Sequence, residues 1–170
     1  NYIWPTWADI ISKELHNAEY YNFGKNGLGN LFISSRIAEI NRRYNFNEND
    51  LVIIMWSSLT REDRYVDNKW IGQGNIFNQH LYHSDWVKQF ADPNGYMIRD
   101  YSLMELTTGF LKNVNCEVHM LSAFNLDDGE GTLLFSENIK NKCKELYQDT
   151  LNNIQLPLTE FVKNRYNNIT

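Results

Sequence analysis

The sequence predicts an α/β domain in which helices cover both faces of a central parallel sheet. Residues 51–55 form an apolar run that is rich in β-branched residues, too short for an ordinary helix and without polar alternation. Such a run is typical of a strand that is buried on both faces. Residues 116–123 are predicted as the next strand, and helical patterns lie before, between and after the two segments. Strands that alternate with helices indicate right-handed crossover units and therefore a parallel sheet.

Composition restricts the class of protein. The 170 residues are 42% hydrophobic and 14% aromatic, which predicts one folded domain over residues 1–170 rather than a disordered chain. The net charge of −5, without a basic cluster, argues against nucleic acid or an acidic membrane surface as a partner. Because no apolar run is long enough to span a membrane and no signal peptide is visible, we expect a cytoplasmic or virion-associated protein. Cys116 and Cys143 have no metal-site spacing and are expected to be free thiols, and we expect no cofactor.

The amino-terminal part is predicted as helix, strand, glycine turn and helix before the central strand. Trp4-Pro5 opens the first helix, since proline is harmless in a first turn. Residues 19–23 are predicted as a strand, residues 24–30 as a turn with three glycines, and residues 31–43 as a helix. The first helix carries an apolar stripe that is expected to face the core, made of Trp7, Ile10, Ile11 and Leu15.

The part after the central strand begins with an ordered, aromatic-rich insertion at about 64–98 that contains a short helix near 83–91. Residues 135–153 are predicted as a long helix that ends before Pro157, and a last short helix follows at 158–166. A helix at 100–112 is expected to face inward with Leu103, Leu106, Phe110 and Leu111, and the long helix with Ile139, Cys143, Leu146, Tyr147 and Leu151.

The central strand is followed at once by polar residues from Ser57 to Asp63. In open parallel sheets, ligands bind just beyond the carboxyl ends of the strands, so this loop is a candidate site, with a solvated loop and helix cap as the alternative. Within it, Glu62 and Asp63 could be paired acids for hydrolysis. The interpretation that we favour is a salt-bridged helix start with Arg61 and Arg64.

The segment at 22–27 (Asn-Phe-Gly-Lys-Asn-Gly), which overlaps the glycine turn at 24–30, is a second candidate site. It lies between a predicted strand and a predicted helix, where turn N–H groups and the helix N-terminus can hold a phosphate or an oxyanion. Its glycine spacing is not that of a dinucleotide site or of a P-loop. A tight strand–helix turn without a ligand is the alternative.

The histidines give a weaker signal. His80 and His83 are spaced so that they could share a metal with Asp85 nearby, but no third ligand is placed. Surface histidines in an aromatic-rich insertion are the commoner explanation, so no metal is predicted. His119 lies in the middle of a predicted strand, where a core or edge histidine is expected.

Three segments together resemble the SGNH (GDSL-type) hydrolases, in particular divergent members encoded by phages and other viruses. The segment from Trp4-Pro5 to Ile10 resembles the helix after the nucleophile loop of that family. Residues 22–27 resemble its second block, and residues 50–61 resemble its third-block strand and turn. The similarity covers residues 1 to about 125 in the order of the elements.

The resemblance implies a flavodoxin-like, three-layer α/β/α sandwich that acts on acyl or acetyl esters without a cofactor. Gly27 takes the place of the oxyanion-hole glycine. The asparagine of the third block falls on Leu59, which cannot donate a hydrogen bond, so that Ser58, Thr60 or Arg61 must replace it. The nucleophile block would precede Asn1, and the chain contains no Asp-x-x-His, so the chain is expected to lack the first strand, the catalytic serine and the catalytic histidine.

The leading hypothesis is therefore an SGNH-type ester hydrolase, incomplete as given, whose ligand is a small-molecule or carbohydrate ester. Candidate oxyanion-hole residues are Gly27, Ser58 and Thr60, and candidate substrate-binding residues are Asn26, Ser57, Arg61 and Trp70. The turns at 24–30 and 57–61 should then lie side by side, with the Gly27 amide and the Ser58 hydroxyl in one pocket. The alternative is a non-catalytic carbohydrate- or partner-binding module on the same fold, such as a viral structural component, that uses the aromatic residues at 65–96.

Overall fold

The computed structural model describes residues 7–15, 18–77, 82–126, 135–155 and 157, and these form a mixed α/β structure with one parallel and one antiparallel pair of strands. The α/β class predicted from the sequence is confirmed. In chain order the elements are α1 (Trp7–Glu14), α2 (Asn30–Tyr44), β1 (Leu51–Trp56), β2 (Arg61–Val66), β3 (Lys69–Asn75), α3 (Ser84–Phe90), α4 (Pro93–Lys112), β4 (Glu117–Ser122), α5 (Glu137–Leu146) and α6 (Gln148–Asn152).

The parallel pair consists of β1 and β4, which run in register from Leu51 opposite Glu117 to Trp56 opposite Ser122. On its other side β4 has a parallel bridge between Met120 and Ile154. The chain between β1 and β4 contains α4, as expected for a crossover connection between parallel strands. Within the described residues, β4 is therefore the inner strand and β1 has a partner on one side only.

The prediction that β1 is a central strand buried on both faces is wrong for the part of the chain that the structure describes. Its burial alternates: Ile54 and Trp56 are buried at 3% and 0% exposure, whereas Leu51 is 37% exposed. Residues 19–23, predicted as a strand, are irregular and pair with no strand. The apolar run identified a strand correctly. An edge strand whose unpaired side borders an apolar groove is as apolar in sequence as a central strand, so the run could not tell the two apart.

The antiparallel pair β2–β3 was not predicted. The polar stretch after β1 forms a strand rather than the start of a helix, and the chain reverses at Asp67 and Asn68. Both residues have positive φ, 49° and 60°, as the two-residue turns that join twisted antiparallel strands require. The insertion is ordered where it is described, and its short helix is confirmed as α3.

Helix α4 begins earlier than predicted because Asp92 caps it, accepting hydrogen bonds from the amides of Asn94 and Gly95, with Pro93 in the first turn. The predicted inward face was wrong in part, since Leu106 is 69% exposed while Leu111 is buried. The face of α4 that enters the core is made of Met97, Tyr101, Met104, Thr108 and Leu111. It packs with a core that also includes Ile37, Ile54, Trp56, Leu59, Met120, Leu126, Phe135 and Cys143.

The terminal helices differ from prediction in two ways. The α1 stripe does not face the core at two of its positions, because Ile10 and Leu15 are 51% and 42% exposed. The long carboxyl-terminal helix is interrupted at Tyr147, and Leu146 is 75% exposed. The predicted helix at 158–166 and the predicted opening at Trp4-Pro5 lie outside the described residues. No helix in the described ranges is long and apolar enough to cross a membrane.

Candidate functional site

Two turns meet at the carboxyl end of β1, as predicted. The glycine turn at 24–30 leads into α2, and the loop at 57–60 leads from β1 into β2. Their backbones are so close that a Cβ atom added to Gly29 would lie 2.6 Å from Cβ of Arg61. This approach requires glycine at position 29, because any side chain there would displace β2.

Asn30 joins the two turns. It is the first residue of α2, and it is fully buried. Its Oδ1 accepts a hydrogen bond from the Ser57 amide at 2.8 Å, and its Nδ2 donates to the Ser57 and Ser58 carbonyl oxygens at 3.2 and 3.4 Å. The same Nδ2 donates to Oδ2 of Asp100 at 2.9 Å. One side chain thus fixes the loop after β1 against α2 and α4.

Asp100 is the buried charge in this arrangement, with no exposed surface. Besides the bond from Asn30, its Oδ1 accepts a hydrogen bond from Nε of Arg99 at 2.7 Å. Burial raises the pKa of Asp100 from 3.8 to about 6, although the charge of Arg99 and the two hydrogen bonds act in the opposite direction. Arg99 also donates from Nη2 to the Arg61 carbonyl oxygen at 2.9 Å, so the pair holds β2 as well.

Asp63 occupies the N-terminus of α2. Its carboxylate accepts hydrogen bonds from the amides of Gly29 at 2.7 Å and Phe32 at 2.9 Å. The predicted anion pocket relied on the free N–H groups of this helix end, and two of them are satisfied by the protein's own carboxylate. A ligand at this edge must therefore use the turn before Gly29 rather than the helix terminus.

Glu62 is linked to Asp100 through Arg99, which pairs with both carboxylates. It accepts a hydrogen bond from the Tyr96 hydroxyl at 2.6 Å and forms ion pairs with Arg64 at 2.8 Å and Arg99 at 3.4 Å. Burial and the bond to Glu62 raise the pKa of Tyr96 well above its usual range. The favoured interpretation of Glu62 and Asp63 as a salt-bridged helix start is wrong in its element, because both residues lie on β2. Glu62 does form ion pairs, with Arg64 and Arg99.

The predicted oxyanion donors lie in different environments. Gly27 has φ 81° and nothing within 4 Å of the position of a Cβ atom, so it borders open space. Ser58 is 1% exposed and its Oγ accepts a hydrogen bond from Nε of Arg61 at 3.3 Å. Thr60 is fully buried, and its hydroxyl has no hydrogen-bond partner within the part of the chain that the structure describes. That these three residues act as donors to a ligand stays a prediction.

The predicted substrate-binding residues are divided between the turns and β3. Asn26 is exposed on the glycine turn, Ser57 is half-buried in the loop after β1, and Arg61 is half-buried at the start of β2. Trp70 is on β3, edge-on to Phe32 with ring centroids 5.7 Å apart. Its carbonyl oxygen accepts a hydrogen bond from Nζ of Lys25 at 2.5 Å, which connects the glycine turn to β3. That these four residues bind one substrate stays a prediction.

The described histidines and cysteines form no catalytic arrangement. His83 pairs with Asp85 and His119 with Glu117, both at exposed positions. Cys116 and Cys143 are free, as expected, and burial raises the pKa of each thiol. Among the residues with described positions, no group of three potential ligands could hold a metal ion. His80, part of the weighed metal pair, lies outside the described residues.

Sequence analysis missed Asn30, Arg99 and Asp100, the residues that hold the site together. Asn30 lay at the edge of the glycine turn, and its only local signal was its place before a helix. Arg99 and Asp100 were placed at the junction of the insertion and a helix, which gave no reason to examine them. No known protein family, curated protein or solved structure matches this chain.

Proposed function

We propose that this chain forms the scaffold and the oxyanion-binding side of an SGNH-type ester hydrolase with a flavodoxin-like arrangement. Its substrates are acyl or acetyl esters, including those of carbohydrates. In this proposal Gly27 and the loop at 57–60 supply the donors that face the ester carbonyl. Asn26 and Arg61 bind the remainder of the substrate.

One observation supports the proposal most strongly. The glycine turn and the loop after β1 lie together at the carboxyl end of a parallel strand, and Asn30 connects them through two hydrogen bonds to Ser57. Oxyanion stabilisation depends on donors whose positions are fixed before the reaction, because no energy is then spent on reorienting them. The buried Asn30–Asp100 contact provides this rigidity.

The chemistry that these residues can supply is binding and charge stabilisation. Backbone N–H groups of a turn with positive φ, as at Gly27, converge on one point and favour negative charge there. Hydrolysis also requires a nucleophile and a general base. The described histidines contact Asp85 and Glu117 and not a serine, so the described part of this chain assembles no such pair.

The test compares two ligands that differ only in one ester. Methyl 6-O-acetylglucoside and methyl glucoside are titrated into the protein, and the amide chemical shifts are followed. The proposal predicts that the acetylated sugar binds at least about tenfold more tightly, which corresponds to about 1.4 kcal/mol. Equal affinity for the two sugars would contradict ester recognition.

A second function, carbohydrate binding without catalysis, is favoured by a row of aromatic rings, of which Tyr82 and Trp86 are half-buried and Phe90 is exposed. Tyr82 and Trp86 are stacked with centroids 5.5 Å apart, and Phe90 follows Trp86 at 5.6 Å. Phe90 is 62% exposed, and the Arg64 guanidinium lies 5.6 Å from the Trp86 ring centre. Flat aromatic surfaces beside a planar cation suit the faces and hydroxyls of a sugar ring.

The two functions predict different responses to mutation. Phe90→Ala should weaken the binding of underivatised oligosaccharides at least about tenfold if the aromatic row is the sugar site. Leu146→Ala is the matched control, because Leu146 is 75% exposed on α5 and lies outside the row. Affinity that depends on the acetyl group and is insensitive to Phe90→Ala would favour the hydrolase.

A further inference from the structure

A groove runs along the open side of β1. It has a volume of about 730 Å³, and it is lined by β1 residues 51–55, by the irregular residues 18–24 and by one face each of α1 and α2. Most of its lining is apolar, including Ile11, Phe23 and Ile37. Two residues of the predicted α1 stripe, Ile11 and Leu15, line this groove.

The floor of the groove contains backbone N–H and C=O groups of β1 that pair with no other strand in the described ranges. The amides of Glu117 and Ala123 donate to the carbonyl oxygens of Asp50 and Trp56. In a parallel pair, a residue turns both its N–H and its C=O to the same side, so the even-numbered residues of β1 face β4. The N–H and C=O groups of Leu51, Ile53 and Met55 must then point the other way, into the groove. In the described ranges, β1 has no strand partner on that side.

The carboxyl end of the same edge already has a partner that imitates a strand. Ser57 continues the odd-numbered series, and its N–H and C=O both bond to the carboxamide of Asn30. A carboxamide presents the same donor and acceptor as a peptide group. The edge is thus satisfied at Ser57 by a peptide-like group, whereas the three preceding odd positions line the groove and have no strand partner among the described residues.

A polar side chain at the groove, that of Arg36, also has a hydrogen-bond donor without an acceptor among the described residues. Arg36 lines the groove, and its Nη1 pairs with Glu39 at 2.6 Å. Its Nε is buried and, within the described part of the chain, has no hydrogen-bond acceptor. A buried guanidinium N–H without an acceptor is costly, so an acceptor supplied by an occupant would be favourable.

We propose that this groove binds an extended polypeptide segment with apolar side chains, which adds to β1 as a further strand of the parallel sheet. A polypeptide backbone is the ligand that offers a donor and an acceptor at every second residue with the spacing of a strand. β1 has six residues, or about 20 Å at about 3.3 Å per residue, so a segment of similar length covers it. The apolar lining selects valine, isoleucine, leucine or phenylalanine on the strand. This function is separate from ester binding and does not depend on it.

The test uses a capped heptapeptide of alternating valine and isoleucine between terminal lysines, added to the full chain. Amide hydrogen exchange is measured by NMR for residues 51–56. The proposal predicts that the peptide slows exchange at Leu51, Ile53 and Met55 at least about tenfold, because these amides acquire acceptors. A peptide with every second amide methylated is the control, since it keeps the side chains and loses the donors on one edge.

A pair of variants separates backbone pairing from side-chain contact. Ile53→Pro removes one N–H that points into the groove and spares the ladder to β4, and proline is tolerated on an open edge. Ile53→Ala removes the side chain but keeps that N–H. Peptide affinity should fall at least tenfold further in Ile53→Pro than in Ile53→Ala.

Three results would overturn the proposal. They are no binding at millimolar peptide, equal binding of the methylated peptide, and slower exchange confined to the even-numbered residues of β1. Because the methylated peptide is tested on the unaltered chain, the proposal can fail even if Ile53→Pro does not fold.

Discussion

Replacing Asn30 with alanine should destabilise the protein more than any exposed substitution on the same turn. The change removes four hydrogen bonds, to the Ser57 amide, the Ser57 and Ser58 carbonyl oxygens and the Asp100 carboxylate. The Ser57 amide and Oδ2 of Asp100 are left with no replacement donor or acceptor in the described surroundings. The position is fully buried, so water cannot replace the lost partners without entering the core.

The expected magnitude follows from these groups. Each buried polar group that loses its hydrogen-bond partner lowers the free energy of unfolding by about 1–3 kcal/mol, and the carboxylate belongs at the upper end because it is charged. We therefore expect Asn30→Ala to lower the free energy of unfolding by about 3–5 kcal/mol. Domains of this size have a total stability of about 5–15 kcal/mol, so the loss is a large share. Asn30→Asp should destabilise the protein mainly above the pKa of the new carboxylate pair, because it keeps the acceptor for Ser57 but places an acceptor against Asp100.

Urea unfolding followed by tryptophan fluorescence and far-ultraviolet circular dichroism measures the change. Asn26→Ala is the matched control, since Asn26 is an exposed asparagine on the same turn and should change stability by no more than about 0.5 kcal/mol. A loss below about 1 kcal/mol in Asn30→Ala, or an equal loss in both variants, would refute the view that Asn30 holds the site together.

Three further outcomes are expected. Because the pKa of Asp100 is higher in the folded than in the unfolded state, its contribution to stability should fall as pH rises from about 4 through 6, by up to about 3 kcal/mol. Asp100→Asn should therefore make the free energy of unfolding, measured in urea at several pH values, depend less steeply on pH over this range. An unchanged pH dependence in the variant would contradict this. Ile54→Asp should cost at least about 3 kcal/mol because Ile54 is 3% exposed, whereas Ile53→Asp should cost clearly less because Ile53 is only half-buried, as urea unfolding would show. The chain should hydrolyse nitrophenyl acetate no faster than buffer, and turnover abolished by a serine-directed phosphonate would contradict this.

The elements that local sequence signals define were predictable. Helix α2 was predicted at 31–43 and lies at Asn30–Tyr44, and β4 was predicted at 116–123 and lies at Glu117–Ser122. In both cases a segment with one hydrophobic periodicity is bounded by turn residues, so the residues within and next to the segment determine where the element begins and ends. The same holds for α3, which is bounded on one side by Asp92-Pro93.

The elements that depend on distant partners were not predictable to the same degree. The β2–β3 hairpin had a local signal, Asp67-Asn68, since both residue types tolerate positive φ. The charged residues beside it favoured a loop or helix start instead. The position of β1 at the edge of the described sheet has no local signal at all, because neighbours far along the chain decide which side of a strand is paired.

The candidate site shows the same division. The adjacency of the two turns was predicted, but on a premise that holds for only one of them: the loop at 57–60 follows a parallel strand, whereas residues 19–23 before the glycine turn are not a strand. The residue that joins them could not be predicted, because Asn30 and Asp100 are 70 positions apart and meet only when α2 and α4 pack. Occupation of the α2 N-terminus by Asp63 depends in the same way on the unpredicted strand β2.

Mapping a tetrahedral anion on the protein tests the proposal that the two turns form one oxyanion-binding pocket. Methyl methylphosphonate, which imitates the anion formed during ester hydrolysis, is titrated into isotope-labelled protein, and backbone amide shifts are recorded by NMR. The account predicts saturable shifts that are largest at the amides of Gly27 and Ser58, with smaller changes at Asn26 and none at the aromatic row of α3. Absence of saturable shifts at the two turns, or shifts concentrated at Trp86 and Phe90, would contradict it.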